Sequence, residues 1–191
     1  MTTARPRNAA QTRADILSAA RRIFALDGYD RATLRAIAAD VGVDAALVIR
    51  YFGTKEKLFL EAVNFDLGFP DLSAVDPDDV PDVLLEKFFA IWDEREIFQA
   101  LLRAAVSTEV AADTLQRVFA EQLSPKLIGA VADNPVQRIS LTGAFLIGIA
   151  VTRYIVRNPP VVGLSGEQLC RWAAPVVRRF LAGPIPSGFE G

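Results

Sequence analysis

The sequence predicts an all-α fold of about nine helices. Apolar residues recur at helical spacing through nearly every long segment, capping residues stand where those runs begin, and no series of alternating, strand-like residues occurs. The densest signal lies in residues 33–55, TLRAIAADVGVDAALVIRYFGTK, where two short helical patterns flank a Val-Gly-Val bend. Two helices joined by a tight glycine turn make a helix-turn-helix, a shape that presents its second helix to the DNA major groove.

Residues 1–8, MTTARPRN, are basic and proline-interrupted and read as an arm. It is either a disordered terminus or a segment whose Arg5 and Arg7 touch DNA. Helix 1 is expected over 9–27, with Ile16, Ala19, Ala20, Ile23 and Phe24 on its buried face, before Asp27-Gly28-Tyr29. Thr33 is suited to cap helix 2 (34–40), whose Leu34, Ile37 and Ala38 have the spacing of an inward face. Gly42 supplies the left-handed stop and Asp44 the cap of helix 3 (45–51), where Val48 and Phe52 form an inward pair. Thr54 caps helix 4, expected to run to about 67. Residues 68–81, rich in proline and aspartate, read as a solvated linker; the run 76–79 lacks the glycine and closing glutamate of a calcium loop.

Helices follow on Val83, Leu84, Lys87, Phe88, Ile91 and Trp92, and on Ile97, Phe98, Leu101, Leu102 and Ala105. A longer one is expected over 114–132, broken or kinked at Pro125. Asn134-Pro135 reads as cap and first turn of a helix to about 157, which Asn158-Pro159-Pro160 ends. Ser165 to Gln168 reads as a capping box, opening a last helix with an apolar stripe of Leu169, Trp172, Ala173, Val176, Val177 and Phe180.

Composition narrows the function. The chain of 191 residues is 51% hydrophobic, which excludes wholesale disorder. Histidine is absent and Cys170 is the only cysteine, so no Ser-His or Cys-His nucleophile and no zinc constellation can be built, and an enzyme is not expected. A single cysteine also fits a reducing, cytoplasmic setting. The most apolar run, 139–151, is too short to span a bilayer before Arg153, so no membrane is expected. Net charge is −2, but ten Lys and Arg stand against seven Asp and Glu through Phe65, and eleven against sixteen beyond it. A positive head on a negative body suits phosphates at one end.

On helix 3, inward Val48 and Phe52 leave Ala45, Ala46, Ile49 and Arg50 facing outward. Such a face packs against thymine methyls, with Arg50 its one strong donor, for a guanine or for a phosphate. On the last long helices, Ser140, Ala144, Gly148 and Thr152 recur every four residues, a stripe along which another helix can approach closely. That helix belongs either to the same chain or to a second copy.

The pattern ILxAAxxIFxxxGYxxxTLRxIAxxVGVxxxLVxxYFGTKExLF, over about residues 10–65, resembles the N-terminal domain of the TetR (tetracycline repressor-like) family of bacterial transcriptional regulators. The resemblance implies an N-terminal three-helix helix-turn-helix DNA-binding domain (9–67), the linker (68–81) and a C-terminal helical ligand-binding and dimerisation domain (82–183). It implies Thr33, Tyr51 and Lys55 as phosphate contacts and Arg35 as a base-contacting residue, with Asp44, Ala45, Leu47, Ile49 and Arg50 completing the DNA-binding set. The expected partners are double-stranded operator DNA, a small-molecule effector and a second copy of the chain; no cofactor or metal is expected. Dimerisation through the last two helices is implied, which assigns Ser140, Ala144, Gly148, Thr152, Trp172, Val176 and Phe180 to that interface. A cavity for a hydrophobic or aromatic effector is implied as well, with Phe65, Phe88, Trp92, Gln99, Leu102, Arg103, Phe119, Phe145 and Arg153 as candidates. Ile49 stands where an aromatic residue is frequent in the family, so no relative's operator is transferred. A helical small-molecule or partner-binding module without sequence-specific DNA binding is the alternative.

Overall fold

The computed structural model describes residues 9–64, 66–94, 96–131 and 133–185. Its α-helices are α1 (Ala9–Arg31), α2 (Leu34–Val41), α3 (Ala45–Phe52), α4 (Lys55–Val63), α5 (Val80–Glu94), α6 (Glu96–Ala105), α7 (Glu109–Val118), α8 (Ser124–Leu127), α9 (Pro135–Ala150), α10 (Pro159–Val162) and α11 (Gly166–Ala182). Among the described residues there is no strand, as the all-α reading expects. The chain forms two compact units. One holds α1 to α4, α6 and the start of α7; the other holds α5 and the described residues from 115 onward.

In the first unit, α1 supplies Ile16, Ala19, Ala20 and Phe24 to a core completed by Ile37 and Ala38 of α2, Val48 and Phe52 of α3, and Leu58, Phe59, Ala62 and Val63 of α4. Burying each of the larger side chains is worth about 1.5–3 kcal/mol, so this shared core fixes the angle of the short helices, which would be marginal alone. The expected end of helix 1 is visible as a break. Gly28 has φ 77 and ψ 172, a conformation open essentially to glycine only, and there the chain leaves the helix and turns Tyr29 back toward α4. Helix 4 stops at Val63 rather than near 67, because Asn64 adopts an extended conformation.

Sequence order does not follow packing here. The linear division at 68–81 places α6 with the body, whereas α6 packs against α1 and α4 through a face containing Ile97, Leu101 and Leu102. That face is the one its periodicity predicts.

The second unit is built on α11, which packs against both α5 and α9. Its core includes Leu84, Phe88 and Trp92 of α5, Leu146 and Ala150 of α9, and Leu169, Ala173, Val177 and Leu181 of α11. The segment after α4 is more than a solvated linker. Phe69 and Leu72 are buried, and Asp66, Asp71 and Asp76 each accept a hydrogen bond from the backbone N–H two residues on. The acidic residues are turn formers. The Ser73 hydroxyl and N–H hold the Asp71 carboxyl below the usual carboxylate range.

The expected helix 114–132 begins earlier, at Glu109, and its break takes an unforeseen form. A π-helical turn (Phe119–Leu123) precedes α8, with Pro125 in the first turn of α8, and a 3-10 turn (Ile128–Ala130) follows. Proline has no N–H to give the preceding turn, and widening that turn accommodates the loss. Asn134 adopts a left-handed conformation (φ 44, ψ 48) with no side-chain capping bond, so the expected cap is replaced by a backbone turn feeding Pro135. From Pro135 the helix continues through a second π-helical turn (Val151–Ile155). This makes 21 residues, long and apolar enough by length and composition to cross a membrane, against the shorter run read from the sequence. Its buried residues, Ile139, Thr142 and Leu146 among them, lie on one face, and the helix packs against α11. The capping box of α11 is present in full. Trp172, on the apolar stripe of α11, is 76% exposed, while Leu169, Ala173 and Val177 take the inward side.

Candidate nucleic-acid interface

Each short helix of the head is held at its start by the side chain its sequence offers. Thr33 Oγ1 accepts from the Ala36 N–H at 3.1 Å, Asp44 Oδ1 from Ala46 at 2.7 Å, and Thr54 Oγ1 from Lys57 at 3.2 Å. Losing one such cap typically costs about 1 kcal/mol. Gly42, at φ 72, closes α2 in the left-handed region, and the Val43 N–H returns to the Ala38 carbonyl at 2.9 Å. Asp44 is thereby committed to α3, its carboxylate an internal acceptor. The exposed Thr33 hydroxyl keeps its own hydrogen for an external acceptor.

Between these caps, α3 buries Val48 and Phe52 and turns Ala46, Ile49 and Arg50 outward, with Ile49 51% exposed. Ala45, Leu47 and Tyr51 are half-buried and form the flanks. The Arg50 guanidinium lies 5.7 Å from the Tyr51 ring centroid. Arg35 is exposed on α2. The Lys55 Nζ donates to the Asp30 carbonyl at 3.1 Å and lies 4.5 Å from the centroid of the Tyr29 ring.

Sequence reading missed the residues that brace this surface. Arg13 of α1 sits 4.8 Å over the Phe52 ring and pairs with Glu61 of α4, while Arg22 of α1 pairs with Asp40 of α2. The Arg21 Nε donates to the Ala62 carbonyl at 3.0 Å. Part of the basic excess is therefore spent inside the head, and Arg35 and Arg50 are the arginines turned outward on α2 and α3. Only the fold brings partners so distant in sequence together, so no spacing could have marked them. Burial, with Glu56 and Asp30 nearby, pushes the Tyr29 phenol above its ordinary range.

The candidate effector residues are divided between the two units. Phe65, like Arg5 and Arg7, lies outside the described residues. Gln99, Leu102 and Arg103 stand on α6 in the head unit: Leu102 is buried, Gln99 half-buried, and exposed Arg103 lines a groove of about 510 Å³ with Leu26 to Arg31. In the second unit, buried Phe88 and Trp92 pack as core, their ring centroids 5.7 Å apart. Trp92 also stacks on Tyr154 at 5.6 Å, and the Tyr154 hydroxyl donates to Asp93 at 2.7 Å. Phe119 lines a groove of about 400 Å³ together with Ser140, Gly143 and Ala144, not with Phe88 or Trp92. Phe145 meets Phe180 edge-on at 6.0 Å. Arg153 donates to the carbonyls of Val161 and Leu164 at 3.1 and 2.8 Å, which fastens the turn around α10.

Ser140, Ala144 and Gly148 are exposed, and a Cβ at Gly148 would meet nothing within 4 Å, so no described part of the chain fills this stripe. Thr152 is half-buried and donates to the Gly148 carbonyl at 2.7 Å. Exposed Trp172 and half-buried Val176 and Phe180 present an apolar edge of α11. Arg138 was not foreseen. It is 8% exposed and ties the start of α9 to the end of α11, donating to Asp133, to the Phe180 carbonyl at 2.7 Å and to the Gly183 carbonyl at 2.8 Å.

Comparison with known proteins places this geometry. The family model for bacterial regulatory proteins of the tetR family matches residues 16–62, and that for the tetracyclin repressor-like C-terminal domain matches residues 78–181. The HTH-type transcriptional repressor AcnR of Corynebacterium jeikeium is 36% identical over 58 residues, 30% of this chain. The match spans 31% of that repressor's length. A solved TetR-family regulator from Streptomyces coelicolor A3 is 26% identical with a TM-score of 0.57, covering 93% of this chain and 99% of its own. NalD of Pseudomonas aeruginosa, the secondary repressor of the MexAB-OprM multidrug efflux pump, shares the fold at 21% identity and a TM-score of 0.67, over 91% of this chain and 96% of its own.

Proposed function

We propose, since this chain belongs to the TetR family of bacterial transcriptional regulators, that it is a homodimeric repressor reading a palindromic operator and released by a hydrophobic or aromatic small molecule. The observation that carries the DNA-binding part is the outward face of α3, where Ala46, Ile49 and Arg50 are exposed on a helix capped at its start and anchored by Val48 and Phe52. Two arginines, Arg35 and Arg50, read guanine edges, while Ile49 and the alanines select thymine methyls by shape. Thr33, Tyr51 and Lys55 hold phosphates around them.

One such head reads only a few base pairs, so selectivity against a genome calls for two. The exposed stripe of Ser140, Ala144 and Gly148, beside Trp172, Val176 and Phe180, supplies the pairing surface. Likeness to AcnR repressors within the head supports repression. Effector control follows if a ligand binds more tightly to a body conformation in which the two heads no longer fit adjacent major grooves.

The test is binding to duplex DNA flanking the protein's own gene, against an unrelated duplex, over a range of salt concentrations. Preferential binding that weakens steeply with salt is expected. Equal indifference to both duplexes, with a ligand retained through purification, would instead assign the chain to small-molecule binding without an operator.

A further inference from the structure

Within the head, the ammonium of Lys55 is already seated before any DNA arrives, and what seats it is an aromatic ring. Tyr29 is delivered by the break at Gly28 and is clamped on two sides. Its ring stacks on Phe24 at 6.2 Å and meets Phe59 at 4.9 Å. Phe59 stands one turn beyond Lys55 on α4, so one face of that helix carries both the ring's clamp and its cation. The Lys55 Nζ lies 4.5 Å from the Tyr29 centroid, within cation–π range, and spends one N–H on the Asp30 carbonyl. An ammonium carries three donors, which leaves others for an external acceptor.

We infer that Tyr29 is a positioning residue for DNA binding: its ring and the Asp30 carbonyl hold Lys55 at the α4 N-terminus, in place to meet a backbone phosphate. The inference rests on the proposed reading of the head as a DNA-binding domain. A free lysine loses much of its rotamer freedom when it engages a phosphate. A seated one has lost it on folding, and the head binds more tightly for that reason. Because the ring adds no charge of its own, its effect falls on affinity and not on the number of phosphates neutralised.

The experiment is a double-mutant cycle on the full-length protein, with a random-sequence duplex of about four helical turns as probe and affinity measured across salt. Lys55→Ala lowers the salt slope by about one unit per head. Tyr29→Leu weakens binding about two- to fivefold per head with the slope unchanged, and does nothing further in the Lys55→Ala background. Tyr29→Phe, which keeps the ring and its packing on Phe24 and Phe59, restores most of the affinity. Equal losses from Tyr29→Leu in both backgrounds would make Tyr29 merely structural and overturn the assignment. A Tyr29→Phe loss as large as that of Tyr29→Leu would overturn it too, by moving the effect to the hydroxyl. Absence of any salt-dependent binding by the wild-type protein would remove the DNA-binding reading and this assignment with it.

Discussion

Replacing Arg138 with methionine keeps an unbranched apolar stem but ends it short of the guanidinium, removing the charge and every donor. In the native chain the guanidinium is 8% exposed and bonds two carbonyls near the C-terminal end of α11, those of Phe180 and Gly183, while its Nε serves Asp133. The Phe180 carbonyl is one of the last four of the helix, which lack an intrahelical partner, and a cation is favoured at that end. Hydrogen bonds from a charged donor are worth about 1.5–3 kcal/mol each. Asp133 is half exposed and regains water, so its share of the loss is small. The two carbonyls set the magnitude, and at the lower part of that range for each we expect a loss of about 3–4 kcal/mol. For a chain of this size that lowers the melting temperature by roughly 10 °C. Urea unfolding followed by circular dichroism measures it directly, and Arg138→Lys, which keeps the charge but not the fork, should fall between. An Arg138→Met protein within about 0.5 kcal/mol of wild type would refute the reasoning, because surface substitutions behave that way.

Other consequences follow from particular residues. Gly28→Ala should cost about 1–3 kcal/mol of head stability; a Cβ there meets nothing within 4 Å, so the penalty is purely one of backbone conformation, and unfolding that matches wild type would contradict it. The Tyr154 phenol is raised above its ordinary value of 10.0 by burial and by its bond to Asp93. Below about pH 10 both folded and unfolded states keep that proton, and above it the unfolded state ionises first. Stability should therefore fall as pH rises beyond about 10, and Tyr154→Phe should flatten the fall; an unchanged slope in the variant would exclude Tyr154 as its source. Arg35→Ala should relax base preference at one operator position by about 1–3 kcal/mol, measured by competition among single-base variants. A uniform loss across all variants would make Arg35 a phosphate contact instead.

How much of this could be read from the chain depends on how local each cause is. Thr33, Gly42, Asp44 and Thr54 each act within a few residues of themselves, and all hold the conformations their side chains favour. The inward placement of Val48 and Phe52, and with it the outward face of Ile49 and Arg50, follows from helical period alone. Asn134 shows where local reasoning stops: its side chain could cap α9, but the turn before Pro135 put it in the left-handed region instead. The braces of the head were invisible. Arg13 meets Glu61 and Arg22 meets Asp40 only after folding, and Tyr29 reaches Lys55 only because Gly28 breaks α1. The same holds for α6, which joins the head although it follows the linker and α5 in sequence. Trp172 sits on an apolar stripe, yet it is exposed while Leu169, Ala173 and Val177 beside it are buried.

Selection of bound duplexes from a random-sequence pool, with the mass of each complex determined in parallel, tests the central claim most directly. The account predicts recovery of inverted repeats whose half-site centres lie about one helical turn, or a multiple of it, apart, each bound by two protomers. Recovery of no common sequence, or of a lone half-site held by a single protomer, would contradict it.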